Sequence, residues 1–335
     1  MGHSTNSESR ARAGEMLCTA MGSDIAAALS DPSVVEVMVN PDGRLWLDRL
    51  GQGRLDTGVR IDATAAERII RLVASSVRKE AHAENPIVSA ELPARAGGAA
   101  GERFEGVLPP VAASPCFSIR KPASKIHALT DYVSDRILTE LQAHGLLRAV
   151  GEHRNILIAG GTSSGKTTLA NALLAEIASL NERVILIEDT RELQCAAKDC
   201  VALRTKPGVV ALADLVRSTL RLRPDRIIVG EVRGPEALDM LKAWNTGHPG
   251  GLATIHANSA ESALGRVEQL VGEAVMTIPR RLIADAIDIV VFIDGRGAAR
   301  RVKAIKQITG LTSAGDYLLD DYVPSNVLPI HQRRQ

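Results

Sequence analysis

The chain has 335 residues, of which 45% are hydrophobic, so it is long enough for two domains with sizeable cores. Its 40 lysines and arginines balance 39 aspartates and glutamates, which excludes a polybasic protein held on nucleic acid by bulk charge. Aromatic residues make up only 2%, so no platform for stacking single-stranded bases is evident. The sequence therefore gives no strong sign of direct nucleic-acid binding and predicts aliphatic cores.

The amino terminus is polar, and its pattern predicts no export signal. Residues 1–20 are small and polar, and we expect them to be disordered. They contain no apolar h-region, so no signal peptide is predicted, and the apolar run 289–293 is far too short to span a membrane. Four scattered cysteines without a C-x-x-C pair suit a reducing compartment and disfavour a structural zinc site. These features predict a cytoplasmic protein, soluble or peripheral to a membrane.

Residues 21–121 mix short strands and helices and predict a small α+β domain. The Asn-Pro-Asp-Gly sequence of residues 40–43 is a turn signal between two alternating runs, which predicts a hairpin. A capping box that begins at Thr64 predicts the start of an amphipathic helix. The predicted strands are 34–39, 44–48, 104–108 and 116–120. Residues 122–134 are predicted to be a linker.

Residues 135–312 alternate between helical and strand patterns. That alternation predicts an α/β fold with a doubly wound, largely parallel sheet. The predicted strands are 155–159, 184–187, 201–203, 227–230, 252–256 and 289–293. The tail, residues 313–335, has no clear pattern and is predicted to be irregular.

The most informative motif follows the first strand of this second region. Residues 160–168 read Gly-Gly-Thr-Ser-Ser-Gly-Lys-Thr-Thr, the G-x-x-x-x-G-K-[ST] pattern in its required place between a strand and a helix. Backbone N–H groups of such a loop wrap a phosphate, and the helix N-terminus adds unpaired donors. Lys166 is predicted at the β/γ phosphates and Thr167 as a ligand of Mg²⁺. The predicted nucleotide-binding residues are Gly160, Gly161, Thr162, Ser163, Ser164, Gly165, Lys166, Thr167 and Thr168.

Two acidic strand ends and a histidine follow at later strands. Glu188 and Asp189 end one apolar strand, at the edge of the sheet where α/β proteins bind ligands. Glu231 follows another strand in the Walker B pattern, whose acid holds Mg²⁺ or polarises the attacking water. His256 ends a strand after a glycine-rich turn, which predicts a hydrogen bond to the γ-phosphate. Each pattern is weak alone, because acids in turns and lone histidines are common on protein surfaces.

Taken in order, the segments GGTSSGKTT, VILIEDTREL, RIIVGEVRG and GHPGGLATIHANS resemble the Walker A, Asp-box, Walker B and His-box motifs of the secretion traffic ATPases. Residues 103–110 and 117–122 resemble the end of that family's N-terminal domain. Within the family the chain resembles the TrbB-type ATPases of conjugal transfer, in the type IV secretion branch. It lacks the cysteine-rich zinc insert that is usual in type II relatives. The resemblance covers most of the chain, from residue 20 to residue 312.

The resemblance implies a RecA-like ATPase domain and an N-terminal domain that closes over the nucleotide. It implies Mg²⁺-dependent ATP hydrolysis by a homohexameric ring, together with secretion or conjugation proteins of the bacterial inner membrane. By position, Glu231 is implied as the base, and Glu188 as a ligand of the metal or as a residue that supports its ligands. Arg103 and Arg120 are implied to reach the nucleotide from the N-terminal domain. Other arginines near the motifs are candidates to face a neighbouring subunit: Arg204, Arg217, Arg221, Arg223 and Arg233.

Other functional classes explain fewer of these motifs. A GTPase needs an Asn-Lys-x-Asp motif, and no asparagine of this chain precedes a lysine. A small-molecule kinase is not expected to carry a His box, and Glu231 argues against a ring component that uses ATP only for assembly. The alternative that the sequence separates least well is an ATPase of type II secretion or of type IV pilus extension or retraction.

Overall fold

The computed structural model describes residues 4–93, 101–122, 126–206 and 208–322, with the backbone alone for residues 4–15. The chain divides into two compact units, Met1–Ser124 and Lys125–Gln335. The division lies within the segment 122–134, where the sequence predicts a linker. No helix among the described residues is both long enough and apolar enough to cross a bilayer.

The first unit is a six-stranded antiparallel sheet with helices packed on one face. In chain order its elements are α1 (Ser4–Ser30), β1 (Val34–Val39), β2 (Arg44–Arg49), β3 (Gly53–Arg60), α2 (Ala63–Ser76), β4 (Ile87–Glu91), β5 (Arg103–Val107) and β6 (Cys116–Arg120). The strand order is β3-β2-β1-β6-β5-β4. Alternate strand residues such as Val37, Phe104 and Ile119 form one core with Ile25 of α1 and Ile69 of α2. This arrangement confirms the predicted α+β character.

Two local predictions in this unit differ from the structure. Residues 4–20, expected to be disordered, lie in α1, and the buried side chains of Leu17 and Met21 explain why: four residues apart, they share one helix face. Residues 1–3 lie outside the described residues. The capping box at Thr64 is also wrong, because the N-cap of α2 is Asp62, two residues earlier. Its side chain accepts a hydrogen bond from the Thr64 N–H at 2.7 Å.

The second unit is built around an eight-stranded sheet. Its elements are α3 (Leu129–Ser134), α4 (Glu140–Gly151), β7 (Ile156–Gly160), α5 (Lys166–Ile177), β8 (Val184–Glu188), β9 (Cys200–Arg204), α6 (Leu212–Thr219), β10 (Arg226–Val229), α7 (Glu236–Asn245), β11 (Leu252–His256), α8 (Ala260–Gly272), α9 (Arg280–Ala286), β12 (Ile289–Asp294), β13 (Arg301–Leu311) and β14 (Tyr317–Asp321). The strand order is β14-β13-β12-β7-β11-β10-β8-β9.

Strands β12 through β9 of that order run parallel, and helices cover both of their faces. One core contains side chains of α6, α7, α8 and α9, and the other contains side chains of α3, α4 and α5. Every residue of β7, β8 and β10 is buried. Apart from Arg226 and Glu188 at two strand ends these residues are apolar or glycine, as expected of strands covered on both faces. The predicted doubly wound α/β fold is therefore confirmed, and the carboxyl ends of β7, β8, β10 and β11 meet at one edge.

The ends of this unit are more ordered than the sequence predicts. Within the expected linker, α3 buries Leu129 and Tyr132 in the second of these cores. Within the expected irregular tail, β14 pairs antiparallel with β13 and extends the sheet. Residues 323–335 lie outside the described residues. Strands β13 and β14 both carry charged side chains, so they lack the apolar run that marks the central strands.

Candidate nucleotide-binding site

The loop from β7 to α5 has a backbone that requires glycine at two positions. A Cβ atom on Gly160 would lie 2.3 Å from the Ile293 carbonyl oxygen and 2.6 Å from Ser164 Oγ, so no larger residue fits there without a shift. Gly165 has a φ of +96°, in the left-handed region that favours glycine. The loop therefore folds tightly over the N-terminus of α5, with Thr162 and Ser163 exposed at its outer turn.

Polar groups inside this loop fit a polyphosphate. Lys166 is buried, and its Nζ donates to the carbonyl oxygens of Gly160 and Gly161 at 3.1 Å each. The Ser164 hydroxyl is also buried and has no hydrogen-bond partner among the described residues. A buried ammonium, an unpaired hydroxyl and the N-terminus of a 12-residue helix converge here, and together they favour a bound anion.

The acid beside the predicted metal ligand is Glu192. Thr167 Oγ1 donates to Glu192 Oε2 at 3.3 Å, from the first turn of α5 to the segment after β8. Mg²⁺ in nucleotide sites is usually held by one or two such oxygen ligands together with the phosphates, so this pair fits the ion. Sequence reasoning did not select Glu192. Its only signal was its place as the last acid of the Glu-Asp-Thr-Arg-Glu run.

Glu188, by contrast, supports the loop that carries Glu192. Its side chain is buried, and Oε1 accepts hydrogen bonds from the backbone N–H groups of Glu192 at 2.9 Å and Leu193 at 2.8 Å. Burial raises the pKa of Glu188 to about 7, against the lowering effect of these two bonds. This geometry fits Glu188 as a support for a metal ligand, because the acid at Thr167 is Glu192; direct binding of Glu188 to Mg²⁺ stays a prediction.

His256 joins Lys166 to Glu231. Its Nδ1 lies 3.2 Å from Lys166 Nζ, and its Nε2 lies 2.7 Å from Glu231 Oε1. Because the ammonium can only donate, Nδ1 accepts and Nε2 carries the proton that Glu231 accepts. Burial and the Lys166 charge lower the pKa of His256, while Glu231 opposes them, so the neutral ring matches this arrangement. Three residues predicted from separate motifs are thus adjacent.

Glu231 has a second donor on its other oxygen. Arg233 Nε donates to Glu231 Oε2 at 2.6 Å, and Arg233 Nη2 contacts the same oxygen. The carboxylate is therefore fixed between an imidazole and a guanidinium at the carboxyl end of β10. Such anchoring sets the direction in which the remaining lone pairs of the carboxylate point.

Arg103 and Arg120 lie together in the first unit. They are directly opposite each other in the antiparallel pair β5 and β6, so their side chains share a sheet face. Their chain neighbours Phe104 and Ile119 point into the core, which places the two guanidinium groups on the face away from the helices. Their contact with a nucleotide stays a prediction.

Comparisons with known proteins agree with these motifs. Residues 19–294 match the family model described as type II/IV secretion system protein. The chain is 48% identical over 308 residues to the conjugal transfer protein TrbB of Rhizobium radiobacter, covering 91% of this chain and 93% of that protein. It is 35% identical to the type IV secretion system protein PtlH of Bordetella pertussis, covering 84% of this chain and 93% of PtlH.

A solved structure with the same fold is that of the pilus retraction motor PilT with bound ADP. It aligns over 87% of this chain and 84% of the PilT chain, with a TM-score of 0.62 and 19% identity. At that identity the likeness shows the fold alone. It confirms the predicted RecA-like domain preceded by a smaller α+β domain.

Proposed function

Because the chain belongs to the type II/IV secretion system protein family, we propose that it hydrolyses ATP to power a conjugal transfer machine. The observation that carries this proposal is the convergence of Lys166, Thr167, Glu192, Glu231 and His256 at one edge of the sheet. Phosphoryl transfer depends on positioned charge rather than on covalent chemistry, and this edge supplies both cationic and carboxylate groups.

The phosphate chain is bound by the loop backbone and by Lys166. In the structure this ammonium contacts two loop carbonyls and His256, and we propose that it exchanges these neutral partners for phosphate oxygens. Thr167 and Glu192 would hold Mg²⁺, which supplies positive charge to the phosphate oxygens when bound. The Ser164 hydroxyl is available as a further donor inside the loop.

Glu231 is the residue that we assign to the attacking water. Its carboxylate is held by His256 and Arg233, so it needs no reorganisation to accept a proton from a water placed beside it. When phosphate replaces His256 as a partner of Lys166, the His256 ring would be free to change its hydrogen bond to Glu231. Arg103 and Arg120 would add positive charge from the N-terminal domain when it closes.

The working assembly that we propose is a homohexameric ring at the cytoplasmic face of the inner membrane, in contact with secretion or conjugation proteins there. The identity to TrbB over nine-tenths of both chains favours conjugal transfer, and the match to PtlH favours the type IV branch. The runner-up is a pilus motor, for which the likeness to PilT is a likeness of fold. Neighbouring mating-pair genes, as opposed to pilin genes, distinguish the two.

The ATPase is tested with the purified chain and two variants. Lys166→Ala removes the main side-chain partner of the β/γ phosphates and is expected to abolish ATP binding and turnover. Glu231→Gln keeps the shape but loses the proton acceptor, so it is expected to bind ATP and to hydrolyse it about 10²–10⁴-fold more slowly. Undiminished turnover in Lys166→Ala would contradict the nucleotide site, and a wild-type rate in Glu231→Gln would remove Glu231 from the mechanism.

A further inference from the structure

Asn171 binds the segment that carries Glu192. It lies in α5 and is only 2% exposed. Its Nδ2 donates to the Glu192 carbonyl oxygen at 3.1 Å, and its Oδ1 accepts from the Gln194 N–H at 2.8 Å. We infer that Asn171 is a positioning residue, which fixes Glu192 at Thr167 and so sets the metal side of the site. This inference rests on the proposed ATPase function.

The helix α5 fixes the positions of Thr167 and Asn171 relative to each other. Thr167 and Asn171 are four residues apart, so they lie on one face of α5. Thr167 contacts the side chain of Glu192, while Asn171 contacts its backbone. The single helix α5 therefore binds both the side chain and the backbone of Glu192. The position of the Glu192 carboxylate then follows from the position of α5.

The segment needs such support because no sheet or helix pairing holds it. Residues 189–199, between β8 and β9, have no regular secondary structure. The N–H of Glu192 is bound by Glu188 and its carbonyl by Asn171, so both polar groups of this residue's backbone are bound by buried side chains. Without either partner, the backbone of Glu192 is expected to rotate and to move its carboxylate away from Thr167.

The carboxamide of Asn171 supplies both bonds. A carboxamide has a donor and an acceptor on one planar group, which match one carbonyl and one N–H of the segment. An alanine at position 171 has neither, and an aspartate keeps the acceptor for Gln194 but loses the donor to Glu192. A displacement of about 1 Å at a reacting centre costs on the order of 10²-fold in rate, so the loss is expected in turnover rather than in nucleotide affinity.

The experiment compares Asn171→Ala with Asn155→Ala. Asn155 is a matched control at the amino end of β7: it is also buried, donates to the Ala286 carbonyl at 2.8 Å and accepts from the Gly251 N–H at 2.8 Å. Asn171→Ala is expected to lower kcat by about tenfold or more and to raise the Mg²⁺ concentration for half-maximal activity, with ATP affinity within about twofold of wild type. Asn155→Ala is expected to lower Tm without either change.

A second readout does not depend on turnover. Cys195 is the next residue after Gln194 and is half-buried, whereas Cys18 is exposed and serves as the reference thiol. Peptide mass spectrometry after N-ethylmaleimide treatment is expected to show faster labelling of Cys195 in Asn171→Ala than in wild type or Asn155→Ala. If Asn171→Ala does not fold, Asn171→Asp takes its place and is expected to show the same changes.

The outcomes separate this inference from the proposed function. A wild-type chain that does not hydrolyse ATP contradicts the proposed function, while faster Cys195 labelling in the variant still supports the contact that Asn171 makes with the segment. Wild-type kcat and Mg²⁺ requirement in a folded position-171 variant overturn the inference, whatever the labelling shows. Equal loss of kcat in Asn171→Ala and Asn155→Ala overturns it as well, because the effect would then follow stability alone.

Discussion

At the scale of single residues, the site is organised by the partners of Lys166. An ammonium at a helix N-terminus needs acceptors, and Lys166 donates to two carbonyl oxygens and to the neutral ring of His256. The same ring donates to Glu231, so the position of one lysine is linked to a carboxylate on another strand. We therefore expect phosphate bound at Lys166 to alter the hydrogen bonding of Glu231 through His256.

Glu188 gives a prediction of pH-dependent stability. Its pKa is about 7 in the folded chain, above its ordinary value of 4.5, so the folded state favours the protonated acid. The stability associated with this group is complete below pH 4.5 and is lost as pH rises through 7, at a cost of about 3 kcal/mol. Glu188→Gln has no such charge and still accepts the two backbone bonds.

We therefore expect Glu188→Gln to raise Tm over wild type, and by more at pH 8 than at pH 5. Thermal melts of the two proteins at both pH values, without Mg²⁺, measure the difference. If Glu188 were a metal ligand instead, the substitution would abolish a stabilising effect of Mg²⁺ and nucleotide. An equal Tm difference at both pH values would argue against the burial of an ionisable carboxyl at this position.

At the scale of elements, the strand–loop–helix unit of β7 and α5 was predictable from the sequence because glycines mark its turn. Gly160 provides a test of that unit, since its missing side chain lets the Ile293 carbonyl and the Ser164 hydroxyl approach. Gly160→Ala forces a backbone carbonyl to move and is expected to weaken ATP binding strongly. Gly161 is a matched comparison, because a Cβ there meets no atom of the described residues within 4 Å and its φ is not positive.

Binding of a fluorescent ATP analogue to both glycine variants measures this effect. Gly160→Ala is expected to lose affinity by about tenfold or more relative to Gly161→Ala, which corresponds to about 1.4 kcal/mol or more of strain and lost contacts. Equal affinities would mean that the loop accommodates a methyl group at either position, against the close packing of this turn on β12.

Other elements could not be predicted because they are stabilised by residues distant in the sequence and not by a pattern within the segment itself. Strand β13, which lies next to the edge strand β14, mixes buried positions with lysines and arginines, so it lacks the apolar run of a central strand. The helix α1 takes its stability from packing against α2 and not from its overall composition. Glu192 was overlooked for a related reason. Which acid of residues 188–192 contacts Thr167 depends on the bonds that Asn171 in α5 and Glu188 at the end of β8 make to the Glu192 backbone.

At the scale of the whole molecule, two of the arginines that were candidates to face a neighbouring subunit make ion pairs within the chain, so they give little support for a ring. Arg217 makes a two-bond pair with Asp239 at 3.0 and 2.9 Å, and Arg233 contacts Glu231. These two candidates for facing a neighbour thus already have partners within the chain. The expectation of a ring therefore depends on the family. Arg103 and Arg120, which lie opposite each other in β5 and β6, stay the proposed source of positive charge from the N-terminal domain.

Coupled subunits of a ring and independent monomers are expected to lose ATPase activity differently when inactive subunits are mixed in. Heterologous interfaces close into rings when the rotation per subunit closes, and each site then depends on its neighbours. Glu231→Gln subunits are expected to bind ATP and to stay in one step of the cycle, so mixing them with wild type is expected to reduce activity more steeply than the mutant fraction. Lys166→Ala subunits, which do not bind ATP, provide the comparison. A loss strictly proportional to the mutant fraction, in rings formed from premixed unfolded or dissociated chains, would show that the subunits hydrolyse ATP independently.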